Sequence, residues 1–529
     1  MQLWNRLSRS YVGRVLTMGV DLLRRRNAAR YQSFSTVDQL VHDIDSHGRE
    51  RRTAIVDRCH VLLQALEADA SVRGTRPTVD ALISALGPLD FARAWLMIAV
   101  ISGRLPSTEQ VRTAVRYAET DGMVAALRVA IWSGPAARFL DAGPFRDVRV
   151  VKDAVLVDVH HTAEASFATG IQRVTREAVR RWVATHKPTL IGWHRGLDSL
   201  RCLTPPEIRR ACWGGPEVTD PAPGPIIVPF NCTFLLPELA TETERTDALR
   251  CLAQYSSNRL ALIGYDMVPI TVPETCHPAM PAAFARNLAA ARHASRIATI
   301  SESAAVEYRG WARMVREVGV QGPTVLPCLL PNEVQTSTAA DMAAAADRLL
   351  VGSLPMVLVV GSHEPRKNHL AVLHAAELLW REGRRFSLTF IGGRSWSGDL
   401  FMASLAKLQG AGRPVETISA AGDALLWAAY RLARFTVFPS INEGFGLPVV
   451  ESITCGTPAI TSDFGAMREI AADGGARLVD PRDDHALADV MRELLTDDAE
   501  LQRLETAAAQ RPVRTWDTYA DEAWDILTS

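Results

Sequence analysis

Two glutamates, Glu443 and Glu451, stand eight positions apart around a Gly-Phe-Gly-Leu-Pro run in PSINEGFGLPVVESITCGTPAITS, residues 439–462. Carboxylates accept hydrogen bonds from vicinal hydroxyls, so one on either side of a diphosphate can each hold one sugar of a nucleotide sugar. The run between them reads as a helix start, with Pro448 in the first turn and Gly456 past the end. The backbone N–H groups of Phe445, Gly446 and Leu447 then project at the positive end of the helix dipole, which makes a seat for phosphate. Gly444 and Gly446 let an anion approach the main chain. Upstream, the strand-like VLVVGS, which contains Gly361, leads to Arg366, Lys367 and Asn368 at a loop-to-helix junction. Two adjacent cations there can neutralise a diphosphate, both on binding and as charge grows on a leaving group. Four lysines stand among 58 Lys plus Arg, and Lys367 is one of them. Taken singly, the same residues also fit a solvated loop acid, a first-turn acid and a solvated helix start.

Placing such groups takes strands that end together and helices that start there. From about Val155 onward, short β-rich runs alternate with helical stretches. VLVDVH is followed by TGIQRVTREAVRRWVAT, PTLIGWH, IIVPF, RLALIGYD ending at Asp266, and RIATIS ending at Ser301 before ESAAVEYRGWARMV. This alternation predicts an α/β fold, a parallel sheet with helices on both faces. A polar, Ala-rich stretch near 332–346 interrupts the rhythm, which restarts with MVLVVGS, SLTFIGG, VETISA, FTVFPS, PAITS and ARLVD. A second doubly wound unit is thus expected from near residue 350. Ligands bind outside the carboxyl ends of such strands, and two facing units leave a cleft. Residues 1–150 read as helices with Gly/Pro breaks, for example STVDQLVHDIDSH and TVDALISAL, and are expected to form a separate helical domain. The expected divisions are 1–150, 151–345 on the acceptor side, 346–512 on the donor side, and a closing helix at 513–529.

Composition narrows the function. The chain has 529 residues, a formal net charge of −1 and 47% hydrophobic residues, so no global field draws it to nucleic acid. Its eight cysteines form no C-x2-C pair or Cys/His cluster, which argues against a zinc site and a disulfide framework and fits free thiols in a reducing cytoplasm. The most apolar run, WLMIAVIS at 95–102, is far short of the ~20 residues that span a bilayer. No secretory apolar region is read after Met1.

The RKN triplet after a strand, together with the later NEGFGLPVVE and CGTPAITS, resembles glycosyltransferase family 4, and the similarity extends over roughly residues 150–529. The resemblance implies a GT-B fold, two Rossmann-like domains facing a cleft, and a retaining, nucleotide-sugar-dependent enzyme. It implies that Glu443 contacts hydroxyls of the transferred sugar and Glu451 holds the ribose. Arg366 and Lys367 match the pair that binds the diphosphate and stabilises its departure, with Gly361, Asn368 and the backbone of Gly444, Phe445, Gly446 and Leu447 around the donor. No cofactor or metal is expected, because the cations replace it. In ATGIQRVTREAV, Gly170 resembles the glycine loop that approaches the donor phosphate in mannosyl- and rhamnosyltransferases, and Arg173 is its nearest cation. IGYDMVPITVPE resembles an HDLIPL-x-x-PE stretch, which places Asp266 at a strand end facing the cleft, with Tyr265 where that pattern has histidine. Ser301 and Glu302 match a strand-to-helix turn at the cleft and equally fit an N-cap and a first-turn acid.

Two glutamates on one element lie on the same side of a ligand and cannot flank a glycosidic bond as a glycosidase pair does. The chemistry expected is same-face attack by an acceptor hydroxyl, assisted by the departing phosphate. The donor expected is a nucleotide hexose of the GDP-mannose or dTDP-rhamnose kind, the acceptor a glycan or lipid-linked saccharide, and the setting surface polysaccharide synthesis. A non-catalytic relative that binds a sugar nucleotide or partner enzyme is the competing reading. Trp4, Leu7, Tyr11, Val15, Met18 and Leu22 recur at helical spacing among seven arginines and one acid, Asp21. Such a stretch, residues 1–30, fits either peripheral contact with the inner face of an anionic membrane or packing on the neighbouring helices. Trp516, Tyr519 and Trp524 near the end fit packing positions.

Overall fold

A computed structural model describes residues 36–132, 146–164, 170–215, 224–395 and 397–529. The basic amphipathic stretch at 1–30 lies outside them. Among the described residues, six helices come first: Val37–Asp45, Arg49–Ala65, Thr75–Leu86, Phe91–Ser102, Thr108–Thr120 and Met123–Trp132. Capping boxes start two of them, Thr36 with Gln39 and Ser107 with Gln110. WLMIAVIS falls in helix Phe91–Ser102, where every residue from Ala94 onward is buried, as befits a helix that is apolar all round. The expected separate helical domain is instead continuous with the first sheet unit: Leu62, Ile98 and Ile131 share one apolar cluster with Leu156, Ile227 and Leu249 of that unit.

The first sheet holds β1 (Val148–Lys152), β2 (Val155–Asp158), β3 (Thr189–Trp193), β4 (Leu200–Cys202), β5 (Ile226–Phe230), β6 (Thr233–Leu236), β7 (Arg259–Gly264), β8 (Arg296–Thr299) and β9 (Thr324–Pro327). Its order is β1-β5-β4-β3-β2-β6-β7-β8-β9. It departs from the all-parallel expectation at β4, which runs antiparallel to β3 and β5, because a short turn after Trp193 returns the chain directly. The second sheet holds β10 (Met356–Val360), β11 (Ser387–Ile391), β12 (Val415–Ile418), β13 (Phe435–Phe438), β14 (Ala459–Ser462) and β15 (Ala476–Val479) in the order β12-β11-β10-β13-β14-β15. All its pairings are parallel.

This order reverses between β10 and β13, and open α/β sheets open a binding crevice at such a point. Val357 pairs with Phe435 and Leu358 with Thr436, so the two strands end side by side. The first sheet reverses likewise at β2, which lies between β3 and β6. The Ala-rich interruption contains helix Ala339–Leu349, capped by Thr338 and packed through Ala345 and Leu349 against Met356 and Trp427. It therefore belongs to the second sheet's unit. The final helix, Trp516–Thr528, returns to the first unit: Trp182 Nε1 donates to the Ala520 carbonyl at 2.8 Å, and Trp516, Tyr519 and Trp524 are buried.

Candidate active site

The loops after β10 and β13 are knitted together at the point of reversal. Ser362 to Glu364 lead into a single 3-10 turn, Pro365–Lys367, and Asn368 takes the left-handed conformation at φ +57° before helix His369–Arg381. The Ile441 amide donates to the Arg366 carbonyl at 2.9 Å, and the Ser440 hydroxyl oxygen lies 3.0 Å from that carbonyl. Arg366 Nη1 returns a bond to the Asn442 carbonyl at 2.8 Å. Asn368 Nδ2 donates to the Pro481 carbonyl at 2.7 Å.

Glu443 sits between the two cations. Its Oε1 accepts from Lys367 Nζ and from Ser440 Oγ, each at 2.6 Å, and its Oε2 pairs with Arg366. The three side chains are 10%, 12% and 14% exposed for Glu443, Lys367 and Arg366. Burial alone would raise the Glu443 pKa, but Arg366 and Lys367 overcome it and hold the carboxyl down at about 2. Burial likewise lowers Lys367 more than Glu443 raises it. Gly361 lies beneath this cluster, where an added Cβ would be 3.7 Å from Lys367 Cδ.

Gly444 to Leu447 carry the chain into helix Leu447–Thr454, whose N-cap is Gly446 at φ +115°, a conformation that excludes most side chains. Among the described residues, the N–H groups of Gly444, Phe445 and Gly446 have no hydrogen-bond partner. Gly444 abuts the first unit so closely that a Cβ there would collide with the Tyr265 carbonyl. Beside it is Asp266, two residues past β7, with Oδ1 accepting the Val268 N–H at 3.1 Å. Burial and then Glu443 raise the Asp266 pKa, with Arg366 and Lys367 opposing. Ser301 is the N-cap of helix Glu302–Glu317, accepting from Ala304 at 2.9 Å, and its hydroxyl donates to the Gly444 carbonyl at 2.6 Å.

The remaining expected residues meet at Glu451, which is buried. Arg173 Nη1 lies 2.5 Å from its Oε1, and the Tyr430 hydroxyl donates to its Oε2 at 2.9 Å. The Arg173 guanidinium is held between the Trp427 and Trp516 rings, 5.8 and 6.0 Å from their centroids. Arg173 therefore has a protein partner in Glu451, besides its expected place near the donor. Gly170 is the first described residue of helix Gly170–Thr185. It still approaches the donor loop, with an added Cβ 3.9 Å from Leu447 Cδ1. Tyr265 turns inward and donates to the Pro237 carbonyl at 2.6 Å.

Sequence reasoning did not single out Tyr430, Asn442, Glu307 or Glu469, whose partners are remote in the chain. It also passed over a buried network at the first sheet's reversal point. Arg245, fully buried, lies 3.0 Å from Asp158 and 2.7 Å from Glu238, and Glu238 accepts the His161 and Thr162 N–H groups at 2.8 and 2.9 Å. The only signal was the acid Asp158 within VLVDVH. All eight cysteines are unpaired. Among the described residues, no three His, Cys, Asp or Glu side chains are placed to hold a metal ion, and no helix is long and apolar enough to cross a membrane.

Comparison with known proteins agrees with this geometry. Residues 345–511 match the family described as glycosyl transferases group 1. The chain is 27% identical over 338 residues to the serotype-specific mannosyltransferase WbdA of Escherichia coli, covering 60% of this chain and 39% of that protein. It is 34% identical over 143 residues to the O-antigen chain mannosyltransferase B of Escherichia coli, covering 27% of this chain and 37% of the relative. The chain thus spans about two fifths of the length of these curated relatives. Sucrose-phosphate synthase from Thermosynechococcus elongatus superposes with a TM-score of 0.53 at 17% identity, over 72% of this chain and 98% of that one. The part of the chain that carries Arg366, Lys367, Glu443 and Glu451 is the part that matches the glycosyl transferases group 1 family, and the two facing sheets have the GT-B fold.

Proposed function

We propose that this protein is a retaining glycosyltransferase of the family 4 type. It transfers a hexose from a nucleotide sugar of the GDP-mannose or dTDP-rhamnose kind to a glycan or lipid-linked saccharide in surface polysaccharide synthesis. The observation that carries this reading is the meeting of Lys367 and Arg366 on buried Glu443 at the crevice, beside backbone amides that have no partner among the described residues. Names of relatives that mention mannosyl transfer and O-antigen support the choice of sugar and product.

In this reading the diphosphate lies against the amides of Gly444 to Leu447 and takes donors from Lys367, which spends one of its three N–H bonds on Glu443. Glu451 holds the ribose and Glu443 the hydroxyls of the transferred sugar. The acceptor oxygen bonds to the anomeric carbon as the bond from that carbon to the phosphate oxygen breaks. The acceptor's proton passes to the departing phosphate oxygen on the same face, which gives retention. Arg366 and Lys367 stabilise the charge that grows on the leaving group. Asp266, across the crevice, orients the acceptor hydroxyl. No step requires a metal, and the enzyme would work in the cytoplasm or at the inner membrane face. The test offers radiolabelled GDP-mannose and dTDP-rhamnose with membrane extract, and determines the anomeric configuration of the product. Transfer that is lost in Lys367→Ala fits the reading; undiminished transfer by that variant, or an inverted product, refutes it.

A further inference from the structure

Asp266 and Glu443 come from different sheets, and group transfer demands that they stand at one fixed separation. One side chain touches the chain neighbours of both. Glu307, in helix Glu302–Glu317, accepts the Met267 N–H through Oε2 at 3.1 Å and Asn442 Nδ2 through Oε1 at 3.1 Å. Met267 directly follows Asp266, and Asn442 directly precedes Glu443. Asn442 is buried, donates also to Thr271 Oγ1 at 3.1 Å, and supplies the carbonyl that receives Arg366. The start of the same helix is fastened to the second unit. Glu469 accepts the Glu302 and Ser303 N–H groups at 3.1 and 2.9 Å and the Ser303 hydroxyl at 2.8 Å, while Ser301 reaches the Gly444 carbonyl. Helix Glu302–Glu317 is therefore a strut anchored at both halves of the crevice, and Glu307 is where it grips the two loops that carry the chemistry.

We propose that Glu307 is a positioning residue that sets Asp266 against Glu443, acting through Met267 and Asn442 and touching no substrate. This rests on the transferase reading above. Its two bonds exist together only when the two sheets are docked, the arrangement in which transfer takes place. Loss of the grip therefore lowers kcat and leaves the donor KM nearly untouched, since the amides, Lys367 and Glu451 that hold the donor belong to the second unit alone.

The full chain is assayed with radiolabelled donor. Asn442→Asp sets a carboxylate against Glu307, and kcat is expected to fall about 10- to 100-fold with donor KM within about threefold. Combining it with Glu307→Gln rebuilds the contact with donor and acceptor exchanged: the new Gln amide donates to the carboxylate introduced at position 442, and its carbonyl accepts the Met267 N–H. The double variant is expected to recover kcat to within about fivefold of the wild type. If Asn442→Asp leaves kcat unchanged, or the double variant is no more active than Asn442→Asp, the proposal fails. Should Asn442→Asp not fold, Glu307→Ala takes its place: a fall in kcat at constant donor KM supports the role, and no fall, or an equal effect on both, overturns it. A wild type that transfers nothing overturns the transferase reading and this proposal with it, whereas an active wild type with indifferent variants overturns only the role of Glu307.

Discussion

Replacing Glu443 by Gln removes a charge while keeping the bulk, and so isolates what the carboxylate does for Arg366 and Lys367. Folding depresses the Glu443 pKa from an ordinary 4.5 to about 2, which corresponds to about 3 kcal/mol of stability in its ionised form. The group is only 10% exposed, so solvent screens little of this. Because the folded value is the lower one, the stabilisation is complete above pH 4.5 and is lost as the pH falls toward 2. Glu443→Gln is therefore expected to be less stable than wild type by about 3 kcal/mol at pH 7 and by about 1 kcal/mol at pH 3. Urea denaturation followed by tryptophan fluorescence at both pH values measures the difference. The same variant is expected to lose at least about 100-fold in transfer rate. A stability difference below about 1 kcal/mol at pH 7, or one that does not shrink on acidification, would show that the two cations do not depend on Glu443, and the electrostatic reasoning would fall.

Two further outcomes come from the same geometry and from the sequence. Tyr430→Phe removes the 2.9 Å hydroxyl bond that orients Glu451; a buried bond to a charged group contributes about 1.5–3 kcal/mol, so donor KM should rise roughly tenfold or more at nearly constant kcat. Initial rates over a donor series check it, and an unchanged KM removes Glu451 from the ribose. Deleting residues 1–30, with their seven arginines, should abolish flotation with anionic liposomes while neutral liposomes bind neither form. Equal flotation with and without the segment eliminates that contact.

The six strands of the second sheet are readable from the sequence, the inner ones because parallel strands covered on both faces appear as unbroken apolar runs such as MVLVVGS and FTVFPS. In the first sheet β1, β4, β6 and β9 escape notice; at β4, three residues give no period and the antiparallel course breaks the alternation. The same contrast governs the site. Arg366, Lys367, Glu443 and Glu451 are legible as residue types placed at strand ends and helix starts. Glu307 is not: it lies 135 positions from Asn442, on an amphipathic helix where a glutamate looks like any solvated acid. Arg173 was legible as a cation near a glycine, but its seat between Trp427 and Trp516 comes from two helices far apart in the chain.

The apolar cluster that joins the first six helices to the sheet bears on how this protein can be cut. A fragment starting at the first strand would carry Ile227, Leu249 and their neighbours into water with their covering stripped off, and such a surface invites clumping. The region that looks like other transferases is thus not a detachable engine. Whatever task the leading helices perform, they are also a wall of the house, and a chimera that swaps one part must carry the other along.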